Sequence, residues 1–326
     1  MSLSTEPQAL SADEFGRVCE DVLAAIATVI DGKREVARTA LIVLLAQGHL
    51  LLEDVPGVGK TMLAKTLAKT VDCTVHRIQF TPDLLPSDVT GVSIFNQDTH
   101  EFQFRQGPVF AHIVIGDEIN RANAKTQSAL LECMEEGQVT VDGVTHHLGS
   151  PFMVIATQNP IELEGTFPLP EAQRDRFMAK ISMGYPDAAA EMLMLESHQS
   201  NSPLDSVRPV LDLGMLHTLI NTVAAVFVSE PVKEYIVALG RATREHSEIR
   251  LGASPRSLLQ LLRAAKAEAA LNARDYVLPE DVRRIATDVL GHRLILHRRA
   301  EAAGINAESV LGAILTSIPV RAGARG

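Results

Sequence analysis

The chain has 326 residues, 46% hydrophobic and 21% charged, which supports one large domain plus a smaller one because single cores rarely grow beyond roughly 250 residues. Its net charge of −10 argues against a general nucleic-acid binder, whose affinity comes from clustered Lys and Arg, but leaves room for a local basic stripe. Cys19, Cys73 and Cys133 form no Cys-x-x-Cys pair, no basic segment followed by an apolar one opens the chain, and its apolar runs are too short for a bilayer, so the expectation is a soluble cytoplasmic protein without disulfides, leader or membrane insertion.

In chain order, residues 1–11 read as a disordered polar tail. Residues 13–30 carry Phe15, Val18, Val22, Leu23 and Ile26 at helical spacing, and a second helix follows Asp31-Gly32. From residue 50 the period changes. Short apolar runs at 50–53, 75–80, 112–117 and 152–157 alternate with helical patterns at 60–70 and 122–136, the signature of a buried parallel sheet with helices on both faces. Residues 89–106, polar at Asn96-Gln97-Asp98, and residues 137–148, turning at Asp142-Gly143, read as inserted β-hairpins. A Ser/Pro/Asn-rich linker is expected at 199–209, dividing an α/β domain over 12–198 from a helical one over 210–326. Helices are expected there at 215–228, 231–246, 255–272, 279–292 and 306–317, with Pro231, Pro255 and Pro279 at or near the first helical position.

The chemistry concentrates where strands end. The strand at 50–53 runs into Asp54-Val55-Pro56-Gly57-Val58-Gly59-Lys60-Thr61 and then a helix beginning at Met62. Backbone N–H groups in such a loop point at phosphates, and the helix dipole favours the same negative charge. ATP is therefore expected against Val55, Pro56, Gly57, Val58, Gly59, Lys60, Thr61 and Met62, with Lys60 on the β/γ-phosphates and the Thr61 hydroxyl on Mg2+. The motif asks for Gly where this chain has Asp54, and a carboxylate beside a triphosphate is unfavourable unless it points away.

A second strand ends in Asp117-Glu118. Asp117 would join Thr61 as an Mg2+ ligand, directly or through water, and Glu118 would orient and deprotonate the attacking water. Asp-Glu after a strand is also an ordinary acidic helix start. A third strand ends at Asn159-Pro160, where an amide can hold the water or touch the γ-phosphate, or simply make a turn. Arg174, Arg176 and Arg256 are the remaining candidates, against the common reading of arginines as solvated surface residues. His146-His147 has no third ligand at metal spacing.

Taken together, LLLEDVPGVGKTMLAKTLA (50–68), QFTPDLLPSDVTG (79–91), the GPVF and DEINRA segments within 104–143, TQNP–EGT–LPEAQ–DRF within 151–181 and GASPRSLLQLL (252–262) closely resemble the MoxR family of AAA+ ATPases over about residues 13–300. The resemblance implies a P-loop αβα sandwich with a five-stranded parallel sheet and two β-hairpin inserts, followed by an all-α lid. It further implies ring oligomers, usually hexamers, with nucleotide at subunit interfaces. On that likeness Asn159 is the sensor-1 residue, Arg176 an arginine finger for a neighbour's ATP, and Arg256 the sensor-2 residue of the lid, with Arg174 competing for the finger role. Val29 and Ile30 fall where relatives pack the adenine, or are plain core contacts.

The function expected from that set is chaperone-like remodelling or maturation of a client protein, driven by ATP hydrolysis and assisted by a partner bearing a von Willebrand factor A domain. A nucleic-acid-acting motor is the competing expectation, disfavoured by the acidic balance and by a second hairpin (137–148) lacking Lys and Arg. A nucleotide sensor that hardly hydrolyses would rest on Asp54 alone. Within the family, a chelatase-like or Rubisco-activase-like subunit dedicated to one enzyme is the further alternative.

Overall fold

Ser11 starts the first helix: its hydroxyl accepts the Glu14 N–H while the Glu14 carboxylate accepts the Ser11 N–H, satisfying two end donors at once. The structure, a computed structural model, describes residues 10–160, 165–185, 188, 191–192 and 203–319. Residues 1–9 of the expected tail and 199–202 of the expected linker lie outside these. Helix α1 (Ala12–Ala27) buries Phe15, Cys19, Val22, Leu23 and Ile26 on one face, and α2 (Arg34–Leu45) follows.

The α/β layer is β1 (Leu50–Glu53), α3 (Lys60–Thr70), β2 (Val75–Gln79), a short α4 (Pro86–Thr90), β3 (Gly91–Asn96), β4 (Glu101–Gln106), β5 (Ile113–Asp117), α5 (Ala124–Glu136), β6 (Gln138–Val141), β7 (Val144–His147), β8 (Met153–Gln158), a short α6 (Glu171–Arg174) and β9 (Ala179–Ile181). Five strands form a parallel sheet in the order β2-β5-β8-β1-β9. Successive side chains on a strand face opposite ways, and the core divides accordingly. Leu50, Leu52, Ile113, Ile115 and Ile155 join the cluster under α1, α2 and α3, while Leu51, Val114, Val154 and Ala156 join Phe80, Leu130 and Phe177 on the other face. Burial on both faces explains why β1, β5 and β8 read as continuous apolar runs. The fifth strand, β9, is absent from the sequence pattern: three residues centred on Lys180 carry too little period. The strand pairs with β1, and the Lys180 ammonium reaches the Glu53 carboxylate at 2.7 Å.

Both expected hairpins form. β3 pairs with β4, and β6 with β7, antiparallel, the second turning at Asp142 and Gly143 with φ of 51° and 79°, as a two-residue primed turn requires. Past the sheet lie α7 (Pro203–Ser206), α8 (Leu213–Ala225), α9 (Glu230–Glu245), β10 (Ile249–Leu251), α10 (Pro255–Leu271), α11 (Pro279–Leu290), β11 (Ile295–Leu296), α12 (Arg298–Ala302) and α13 (Ala307–Ser317). The long helices sit where periodicity placed them. To the all-helical expectation the structure adds one small antiparallel ribbon, β10 with β11, too short to leave a signal in the sequence. Inside the expected linker, α7 is tied to α3 by a hydrogen bond from Lys69 Nζ to the Leu204 carbonyl, 2.9 Å.

The C-terminal helices share the α1/α2 core. At that junction the Glu268 carboxylate, 1% exposed, accepts from Arg38 at 2.9 and 3.1 Å and from Arg284 at 3.1 Å. A buried carboxylate so partnered fixes how α2, α10 and α11 meet. No helix among the described residues is long and apolar enough to cross a membrane.

Candidate functional site

Parallel strands place their C-terminal ends along one edge of the sheet, and three expected site segments end there side by side. The loop between β1 and α3 turns through Gly57 and Gly59 at φ of 86° and 90°, a region open to Gly at little cost. Its tip, Pro56 and Gly57, is exposed. Val58 and Met62 pack partly buried against the core, as Val29 does. Lys60 opens α3 with its ammonium on two carbonyls of the loop, Asp54 and Val55 at 3.2 Å, and on that of Gln158 at the end of β8, 3.4 Å away. Burial lowers the Lys60 pKa, opposed by the nearby carboxylates of Asp54, Asp117, Glu118 and Glu53.

Asp117, buried at the end of β5, accepts from Thr61 Oγ1 at 3.0 Å and from Thr157 Oγ1 at 3.3 Å on one oxygen. Arg77 Nε donates to its other oxygen at 2.6 Å. Thr61 and Asp117, expected on one metal ion, are therefore already in contact. The described residues hold no cluster of three or more His, Cys, Asp or Glu able to cage a metal. A hydroxyl plus one carboxylate fits Mg2+, which keeps waters and takes its other ligands from phosphate.

Glu118 leaves the strand in the left-handed region, φ 57°, with its N–H donating to Thr157 Oγ1 at 2.9 Å. Its carboxylate accepts from Gln79 Nε2 at 2.8 Å and pairs with Arg121 Nε at 3.3 Å. Asn159 follows β8, which lies between β5 and β1. It is 8% exposed, between the acidic pair and the phosphate loop.

Asp54 points aside. Its carboxylate accepts from Ser182 Oγ at 2.7 Å, Gly184 N at 2.6 Å and Val55 N at 2.8 Å. Burial alone would raise its pKa; these hydrogen bonds outweigh that and hold it below the usual value. Asp54 is not among the residues with positive φ, so the freedom of the expected Gly is not used here. Ile30 is buried in the core and Val29 half-buried beside it. A cavity of about 740 Å³ opens next to the loop, between Asp54, Val55, α2, α11 and α13, and neither residue lines it.

Arg176 and Arg256 lie elsewhere. Met178 N donates to the His49 carbonyl at the start of β1, so Arg176 occupies the N-terminal edge of the sheet. There the Glu135 carboxylate pairs with Arg176 at 3.0 Å and with Arg256 from the first turn of α10. The two arginines thus meet each other but neither Lys60 nor Thr61. About 13 Å of strand separates the edges at 3.3 Å per residue, more than a guanidinium spans. Arg174 lines a cavity with Ser254 and Pro255 at the start of α10, and its Nε is buried without a hydrogen-bond partner.

Sequence reasoning missed Arg77, Gln79, Thr157 and Glu135. Gln79 had the best signal, a polar residue closing a strand beside Asp117-Glu118. Arg77 and Thr157 become visible only through the β2-β5-β8 register.

Comparison with known proteins agrees with this geometry. Residues 49–179 match the ATPase family associated with various cellular activities (AAA), and residues 241–314 match the AAA lid domain. The chain is 51% identical to YeaC of Bacillus subtilis over 90% of this chain and 91% of that protein. It is 42% identical to Chaperone MoxR1 of Mycobacterium tuberculosis, over 92% of this chain and 81% of the other. A crystal structure of a protein from Cytophaga hutchinsonii superposes with a TM-score of 0.89 at 42% identity, covering 95% of this chain and 97% of that one. The αβα layer, its hairpin inserts, the phosphate loop and these relatives together place the chain in the MoxR family of AAA+ ATPases.

Proposed function

We propose that this protein binds ATP with Mg2+ at the C-terminal edge of its sheet and hydrolyses it in a hexameric ring, each subunit lending Arg176 and Arg256 to its neighbour's nucleotide. The observation that carries the reading is the opposition of two edges. Lys60, Thr61, Asp117, Glu118 and Asn159 gather at one, whereas Arg176 and Arg256 gather at the other, held by Glu135. That both arginines lie away from their own phosphate loop supports service to another copy's.

Bound Mg2+ would supply charge neutralisation of the phosphates, the chemistry that phosphoryl transfer most needs. This chain's own groups do the rest. The loop N–H groups and Lys60 hold the phosphates, and Thr61 with Asp117 orient the metal. Glu118, presented by its left-handed backbone, takes the proton of the attacking water, while Asn159 fixes that water or the γ-phosphate. Half-buried Val29 is the surface offered to the base, outside the cavity beside the loop, with Ile30 packed in the core behind it.

The work so driven is chaperone-like remodelling or maturation of a client protein, with a von Willebrand factor A domain protein as partner. The name of the Mycobacterium tuberculosis relative, a chaperone, supports this. So do the exposed apolar side chains of the hairpins, Ile94, Phe95, Phe102 and Val144, which suit contact with polypeptide.

Turnover of point variants tests the arginine assignment. Arg176→Ala keeps nucleotide affinity and loses roughly 10³–10⁵ in turnover, the worth of a trans-acting arginine. Retained activity in that variant, with loss in Arg174→Ala instead, refutes it.

A further inference from the structure

We propose that Glu135 is a positioning residue for ATP hydrolysis, setting Arg176 and Arg256 as one paired fork for the nucleotide of the adjoining subunit; this rests on the trans reading above. Arg176 and Arg256 belong to different parts of the molecule, one in the segment after α6 and the other at the start of α10. Glu135, at the end of α5, is where they converge: one carboxylate oxygen takes Arg176 Nη2 at 3.0 Å, and the other takes Arg256 Nη2. Two guanidiniums drawn to one place repel each other, and a carboxylate between them removes that penalty. Each guanidinium carries five N–H donors in a fixed plane, and the contact with Glu135 uses one terminal nitrogen of each. The trio keeps a net positive charge suited to a polyphosphate.

The backbone on both sides is set separately. Asp175 accepts from Ser254 Oγ at 3.2 Å and from Arg293 Nε at 2.8 Å, fixing the residue before Arg176 against the helix start that carries Arg256. What remains adjustable is the pair of side chains, and Glu135 aligns them. The carboxylate is 35% exposed, and ion pairs that exposed contribute little to stability. A stability role therefore accounts poorly for one carboxylate gathering two arginines from distant segments.

The test uses full-length chain, ATP turnover and mixed rings. Glu135→Ala is expected to lower kcat on the order of 10²-fold, the cost of misplacing a reacting group by about 1 Å, with KM for ATP, oligomer mass and melting temperature nearly unchanged. Glu135→Asp recovers part of the rate. Mixed with Glu118→Gln, which lacks its own base but presents normal arginines, Glu135→Ala subunits keep an intact phosphate site and find a competent neighbour, so the mixture exceeds the sum of its parts. Arg176→Ala mixed with Glu118→Gln serves as the reference. Unchanged or raised turnover in Glu135→Ala overturns the proposal. Recovery in the reference mixture but not with Glu135→Ala also overturns it, because Glu135 then acts inside its own subunit. If neither mixture recovers, the trans reading fails and the proposal with it.

Discussion

Replacing Asp54 with Gly restores the residue that the phosphate-loop motif asks for, and the structure predicts that this improves nothing. The Asp54 carboxylate accepts three hydrogen bonds, from Val55 N, Ser182 Oγ and Gly184 N, at 2.6 to 2.8 Å. Hydrogen bonds to a charged group are worth about 1.5–3 kcal/mol each when desolvated. The Val55 contact is local and the site half-exposed, so about 2 kcal/mol is a fair sum for the three. Freeing the chain at a position that does not use left-handed geometry adds about 0.5–1 kcal/mol of unfolded-state entropy. Asp54→Gly should therefore lower the unfolding free energy by about 3 kcal/mol in urea titration. ATP affinity, read by fluorescent nucleotide displacement, should stay within a few-fold of wild type. A variant of unchanged stability that binds ATP tenfold more tightly would refute this, showing that the carboxylate acts on the phosphates after all.

His49 supplies a pH test. Its Nδ1 accepts the Val154 N–H at 3.0 Å and its Nε2 lies 2.9 Å from the Met134 carbonyl, so the neutral ring satisfies both partners. Burial pushes its pKa down to about 4. The unfolded chain, with His near 6.5, takes up the proton first as pH falls, so stability is complete above about 6.5 and is lost down to about 4, a total of about 3 kcal/mol. Urea unfolding of wild type and His49→Gln at pH 7.5 and 4.5 measures it: the variant should show the shallower loss, and equal losses would remove His49 from the account. Glu118→Gln should retain ATP and cut turnover steeply, since the water loses its base; turnover equal to wild type would end the enzymatic reading.

How much could be read beforehand followed from where each signal lies. β1, β5 and β8 are buried on both faces and announce themselves as apolar runs, and Gly57, Gly59, Lys60 and Thr61 act within one turn of chain. β9 could not be read from the pattern, because Ala179–Ile181 owes its strand to pairing with Leu50–Leu52. The direction of Asp54 depends on Ser182 and Gly184, far along the chain. Gln79 meets Glu118 only because β2 lies beside β5 in register with Asp117. Arg176 and Arg256 were legible as candidates, but their shared edge, and Glu135 between them, required the packing of α5 and α10 against the same end of the sheet.

Specific ATPase activity measured across a dilution series, with oligomer mass followed by light scattering in the same samples, tests the central claim most directly. Hydrolysis completed by a neighbour's arginines predicts that turnover per subunit falls in step with the loss of rings and is nearly absent in the monomer. Turnover per subunit that stays constant down to the monomer would contradict it.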